Sequence, residues 1–358
     1  MTLDSIIAGI RPGDHTARAA VLRRWDGLAK PLGSLGALED DIVRIAALTG
    51  HEEVSLDRRC LLVFCADNGV VSQGVSQSNH TVTTAVASAL GRSDSTVNYM
   101  ASAAGCSVLP VDVGMESETP PGVLSRKIRR GTADISKGPA MTRAECIQAI
   151  LLGVEMAVRQ AEAGTDLLLL GEMGIGNTTT SAAVAGVLLD RLPGELAGRG
   201  AGLSDAGLER KLRSIEAAIH VNQPERSDPI DVLQKVGGLD LAALCGVCLG
   251  GAYCRVPVLL DGVITNVAAL CAVRLCPDVK DALIASHVSL EPAAKLLLEE
   301  LELAPVISAG LRLGEGSGAV LALPLLDQAL AVYRSGHTFG ALGIDAYTRW
   351  EEIEICSP

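Results

Sequence analysis

Leu167-Leu168-Leu169-Leu170-Gly171-Glu172-Met173-Gly174-Ile175-Gly176-Asn177-Thr178-Thr179-Thr180 is the stretch whose reading decides the fold. Four successive leucines make a strand apolar on both faces, a glycine-rich turn follows, and Ser181 to Leu189 continues with helical character. A strand, such a turn and a helix N-terminus together present backbone N–H groups to an anion. The turn has neither the Gly-Lys-Ser/Thr ending of a P-loop nor the third glycine of a dinucleotide fingerprint, which points to a monophosphate. Gly174, Gly176, Asn177 and the threonines form the candidate cradle, with Lys211 and Ser289 as side-chain partners, although Lys211 taken alone is an ordinary solvated helix lysine.

The same grammar recurs along the chain. Short aliphatic runs at Cys60 to Ala66, Val108 to Val113, Leu167 to Leu170, Val256 to Leu260, Ala282 to Ala285 and Val306 to Leu313 alternate with longer helical stretches. Runs buried on both faces and separated by helices imply an α/β fold with a doubly wound, mainly parallel sheet and right-handed crossovers. Before them, Thr16 to Leu28 and Gly36 to Leu48 read as helices joined by a turn-rich hinge, Lys30 to Gly36. Ligands of such sheets gather beyond the carboxyl ends of the strands. There the chain places Asp67-Asn68-Gly69, Asp112-Val113-Gly114, Glu172, Asp261-Gly262, Ser286-His287 with Ser289 and Glu291, and Glu315. One or two such endings are ordinary turn chemistry; six on one rim predict a site.

The last of them, Gly314-Glu315-Gly316-Ser317-Gly318, holds one carboxylate among small residues ahead of the helical run Ala319 to Leu330. A helix N-terminus favours its ionised form, which suits a proton acceptor and equally suits a simple helix cap. Glu172 stands two residues before the anion turn, so two carboxylates flank one phosphate. If a ribose carries that phosphate, one acid can stabilise an oxocarbenium-like transition state while the other deprotonates the attacking group. This is glycosyl-transfer chemistry, though similar turns serve other phosphorylated metabolites.

Composition narrows the field. The 358 residues allow one large domain plus a smaller appendage. With 48% hydrophobic and 2% aromatic residues, Ala, Val, Leu and Ile must fill the interior. A net charge of −12 and a pI near 5.0 argue against a nucleic-acid partner, and so few aromatics leave little for stacking on bases. Met1 to His15 lacks the cationic start of a signal peptide, and the apolar stretch Leu241 to Cys254 is too short to span a bilayer, so a cytoplasmic protein without a membrane partner is expected. The ten cysteines are expected as thiols. Cys245 and Cys248 form a CxxC without a second pair, so no metal is expected. Ser125 to Arg130 is a basic cluster, either a solvated loop or a ligand contact.

Five segments taken together, Lys30-Pro31-Leu32-Gly33-Ser34-Leu35-Gly36, Gly171 to Thr179, Leu259-Leu260-Asp261-Gly262, Ser286-His287-Val288-Ser289-Leu290-Glu291 and Leu313 to Ala319, resemble the nicotinate-nucleotide:dimethylbenzimidazole phosphoribosyltransferase family, in order from about residue 28 to about 343. The resemblance implies transfer of the phosphoribosyl group of nicotinate mononucleotide to a cobamide lower-ligand base, giving an α-riboside phosphate and nicotinate with inversion at the anomeric carbon and no cofactor. It implies Glu315 as general base and Glu172 as the second acid. Gly174, Ile175, Gly176, Asn177, Thr178, Lys211, Ser289, Gly314 and Gly316 fall to the phosphate and ribose, and Asp67, Gln73 and Leu313 to the acceptor. It also implies a large α/β domain over 51–319, a small helical domain from 1–50 with 320–358, and a dimer of like chains or of paralogues. This chain departs from the family pattern at Asp67-Asn68-Gly69 (commonly Asp-His-Gly), at Val75 to His80, which lacks a proline, and at Gly200-Ala201-Gly202 (usually Gly-Thr-Gly). An acceptor segment altered beside intact catalytic segments raises the expectation of an unusual acceptor, a phenol in place of 5,6-dimethylbenzimidazole. The alternative from a different class is a non-catalytic nucleotide-binding paralogue that supports a catalytic partner subunit.

Overall fold

A computed structural model describes residues 2–200 and 202–349. Six strands, β1 (Arg59–Ala66), β2 (Cys106–Gly114), β3 (Leu124–Ser125), β4 (Leu167–Met173), β5 (Val258–Leu260) and β6 (Leu283–Ala285), form one sheet in the order β3-β2-β1-β4-β5-β6. Every neighbouring pair is parallel. The chain winds outward from β1 to β3, then restarts on the other side of β1 and winds outward from β4 to β6. The switch point therefore lies between β1 and β4, where the carboxyl ends open a crevice.

The doubly wound expectation holds, and its cause is visible in β1 and β4. Leu62, Phe64, Leu168 and Leu170 enter one apolar cluster, while Leu61, Val63, Leu167 and Leu169 enter another. Helices Arg143–Glu162, Asn177–Leu189, Leu239–Cys254 and Val263–Leu275 cover the first face. On the second face lie His15–Gly27, Ala37–Thr49, His80–Gly91, Thr96–Ala103 and Ser317–Tyr333. The N- and C-terminal helices thus share a cluster with side chains of the sheet, and the final stretch 350–358 lies outside the described residues. Among those residues no helix is long and apolar enough to cross a membrane.

One strand expectation is corrected, and one strand was not expected. Val306 to Leu313 is not a strand: after one parallel bridge between His287 and Ile307 it runs as an irregular strap. Ser308, Ala309, Arg312 and Leu313 are outward-facing, and Gly310 turns left-handed (φ +67), so the ladder cannot continue. The sixth strand is instead the two-residue β3, too short to leave a hydrophobic run.

On the first face Arg143–Glu162 and Leu239–Cys254 approach closely through Gly153 and Gly246. A Cβ on Gly246 would overlap the Ile150 carbonyl oxygen and lie 3.0 Å from the Gly153 Cα. Alanine normally stabilises a helix over glycine by about 0.5–1 kcal/mol, but backbone atoms cannot yield here. Gly246→Ala is therefore expected to destabilise the fold by roughly 1–3 kcal/mol, read as a lower urea midpoint at unchanged slope.

Candidate active site

β4 brings Glu172 to the rim, and glycines let the distant 314–316 turn rest on it. A Cβ at Gly171 would lie 2.6 Å from the Glu315 carbonyl oxygen, and one at Gly314 would lie 2.9 Å from Glu172 Oε1. Glu172 and Glu315 consequently line one cavity of about 280 Å³. Gly174, Ile175, Asn177, Thr178, Ser289, Leu313 and Gly314 share its wall, so the structure brings most of the expected site residues together. Gly176 faces an adjoining space of about 70 Å³ that shares Gly174, Ile175, Asn177, Thr178 and Gly200 with the main cavity. Gly316 lies beneath its turn, against Leu61 and the Leu170 carbonyl.

The glycine-rich turn leads into a helix that starts earlier than expected, at Asn177. Gly176 caps it with φ +95, where a Cβ would press on Val71 at 2.8 Å. Ile175 N–H donates to Thr83 Oγ1 (3.2 Å) and Asn177 N–H to the Gly174 carbonyl (3.0 Å). Among the described residues the N–H groups of Gly176 and Thr178 have no internal acceptor, as befits the open donors of a helix N-terminus. Lys211 is fully buried behind this turn, not solvated, and donates to Thr178 Oγ1 (2.8 Å) and the Gly198 carbonyl (3.0 Å).

A profile described as phosphoribosyltransferase matches residues 10–344. The nicotinate-nucleotide–dimethylbenzimidazole phosphoribosyltransferase of Acetivibrio thermocellus is 45% identical over 328 residues, 91% of this chain and 93% of that protein. Its namesake in Ruminiclostridium cellulolyticum is 44% identical, with 97% and 99% coverage. This chain belongs to that family. The crystal structure of CobT from Thermus thermophilus superposes with a TM-score of 0.87 at 40% identity, covering 92% of this chain and 99% of that one.

The electrostatics of this family member differ from the simple helix-dipole expectation. Glu315 does not receive the N–H groups of the Ser317–Tyr333 helix; Asp261 does. Glu315 Oε2 is buried without a hydrogen-bond partner, and burial, with the Asp261 charge second, pushes its pKa up. Burial also pushes Glu172 up to about 8, helped by the charges of Asp240 and Asp261 and opposed by the Asn177 amide, which donates to its carboxylate. Lys211 is pushed down to about 8 by burial, against the attraction of Glu291. His287 is lowered by burial against the pull of Asp261, and its Nδ1 lies 3.0 Å from Ser286 Oγ.

Asp67 and Gln73 do not reach the cavity. Asp67 is fully buried, accepts the Glu116 N–H (2.8 Å) and lies 3.4 Å from His80 Nδ1, while Gln73 is hydrogen-bonded to Asp134 (2.6 Å). Within the basic cluster Lys127 pairs with Asp112 and Arg129 with Glu145. Cys245 and Cys248 are buried core thiols, and no group among the described residues is placed to hold a metal. Ala201 lies outside the described residues.

Wall residues absent from the sequence-derived site include Asp261, His287 and Glu291, each already marked by its strand-end position. Arg312, Val82 and Val86 also line the cavity but carry no motif that would announce them.

Proposed function

We infer that this phosphoribosyltransferase moves the phosphoribosyl group of nicotinate mononucleotide to 5,6-dimethylbenzimidazole, yielding an α-riboside phosphate for the nucleotide loop of a cobamide. One observation carries it: Glu172 and Glu315 line a single cavity beside an open helix N-terminus. The donor phosphate fits the N–H groups of Gly176 and Thr178, with Lys211 adding charge through Thr178 Oγ1. This sets the anomeric carbon between the two acids.

The donor's pyridinium is positive, so its arrival opposes the burial and like charges that raise Glu172 and favours its carboxylate, which then stabilises the oxocarbenium-like transition state. The acceptor nitrogen bonds to the anomeric carbon from the face opposite nicotinate. The breaking C–N bond returns its electron pair to nicotinate, and the acceptor's N–H proton passes to Glu315. Inversion of the β-nucleotide gives the α product. A raised pKa makes Glu315 a better base for that proton. Val82, Val86, Ile175, Val263, Ile264 and Leu313 supply an apolar wall for a flat aromatic acceptor.

The phenol expectation rests on the Asp67 to His80 departures. Asn68 is fully buried and points its amide at the Ile175 carbonyl (3.4 Å) behind the turn, and it does not line the cavity. It gives no reason to prefer a phenol, whereas the relatives are named for dimethylbenzimidazole. The test is nicotinate release by the purified chain with either acceptor: turnover with dimethylbenzimidazole supports the assignment, and turnover with phenol alone overturns the acceptor. A purely scaffolding paralogue would release no nicotinate.

A dimer is part of the same proposal. The Ser317–Tyr333 helix exposes an apolar stripe of Leu321, Pro324 and Val332 that begins just past the Glu315 turn, suited to a like chain or a close paralogue.

A further inference from the structure

Two helices start at this rim, and they are finished in opposite ways. At the start of the Asn177–Leu189 helix the N–H groups of Gly176 and Thr178 have no acceptor among the described residues. The Ser317–Tyr333 helix is plugged from within: Asp261 Oδ1 accepts the N–H of Gly318 (2.7 Å) and Ala319 (3.3 Å), and Oδ2 accepts that of Gly316 (3.2 Å). Asp261 is itself pinned at the end of β5, where its N–H donates to Thr265 Oγ1 (2.9 Å). Gly318 makes room for it, since a Cβ there would overlap the His287 ring and lie 2.9 Å from Asp261 Oδ1.

Immediately before these donors the backbone runs left-handed through Gly314 (φ +83), Glu315 (φ +61) and Gly316 (φ +86). Glycines tolerate that conformation; a glutamate is held there only when its surroundings impose it. The Asp261 carboxylate holds the residues that follow Glu315, while β4 packs against the Glu315 backbone from the other side.

We propose that Asp261 is a positioning residue of the transfer reaction, gripping the three N–H groups that follow Glu315 so that the Glu315 carboxylate is aimed at the acceptor with a second carboxylate beside it. This rests on Glu315 being the base, as argued above. The other titratable or charged groups facing Glu315 are Glu172 at the end of β4, His287 and Glu291 after β6, and Arg312 on its own strap; Val82 and Val86 add none from their helix. Burial is the larger influence raising Glu315 and Asp261 the second.

Purified wild type, Asp261→Asn and Gly318→Ala are compared for kcat, for KM of nicotinate mononucleotide and for kcat/KM against pH. Asp261→Asn removes the charge and turns one accepting oxygen into an NH2 donor, so at least one of the three contacts is lost. It is expected to lower kcat about 100-fold, to leave the donor KM in place, because the anion turn is untouched, and to move the acidic limb to lower pH as a like charge leaves the base. Gly318→Ala disturbs the grip but keeps the charge, so kcat falls while the limb is not drawn downward. Asp261→Glu, which restores a carboxylate, returns the limb toward the wild-type position and supplies the charge test if the amide variant does not fold. Wild-type kcat in Asp261→Asn or Gly318→Ala, or an Asp261→Asn limb that does not move, overturns the proposal. A wild type that transfers no phosphoribosyl group would instead sink the functional assignment beneath it.

Discussion

Glu315→Gln is expected to lower kcat by about 10²–10⁴ and to remove the Glu315 contribution to the acidic limb of the pH profile, leaving that of Glu172, with little change in the donor KM. The substitution keeps size and shape but removes the proton acceptor from a half-buried site where the carboxylate oxygen has no internal hydrogen-bond partner to lose. The anion turn on the Asn177–Leu189 helix touches none of the altered atoms, so donor binding should survive. Because Glu315 is raised by burial, the wild-type limb should lie above the usual glutamate range, with activity falling as pH drops and the base is protonated. Steady-state kinetics across pH checks both parts.

Lys211→Met is expected to have the complementary effect, raising the donor KM while sparing kcat. Lys211 touches Thr178 Oγ1, and through it the phosphate turn, but is absent from the wall around the two acids. Losing a hydrogen bond that involves a charged group costs roughly 1.5–3 kcal/mol, about 10–100-fold in apparent affinity. Methionine fills similar space without the burden of a buried charge, so stability should not fall in step. The lysine also predicts a pH effect of opposite sign to that of Glu315. Its pKa lies near 8, so raising pH through that value discharges it and should raise the wild-type donor KM, a dependence that Lys211→Met should lack.

Much of this architecture was readable because burial on both faces of a parallel sheet leaves unbroken aliphatic runs. Leu167 to Leu170 is such a run, and its side chains do alternate between two clusters. Where the sheet needs only two residues, as in β3, no run exists to be read, and the Val306 to Leu313 run misleads because alternation with Ser308, Gly310 and Arg312 leaves it largely outside the core. At the site, glycines on either side of Glu172 and Glu315 were the legible signal, since they mark where two backbones touch. The burial of Lys211 was not legible, because nothing in a helix sequence separates a lysine bent under a turn from one in water. Asp67 was misplaced for a related reason: its strand end is right, but its carboxylate turns inward to the Glu116 N–H. Asp261 was visible as a strand ending, yet its grip on a helix 55 residues away along the chain is a tertiary fact.

The central claim is that two acids act on opposite faces of one ribose, and the configuration of the product tests it most directly. Nicotinate mononucleotide and 5,6-dimethylbenzimidazole are incubated with the purified protein, and the anomeric proton of the riboside phosphate is assigned by NMR. The account predicts the α-anomer with one nicotinate released per riboside. A β-riboside, or ribose phosphate formed in its place by water, would contradict it.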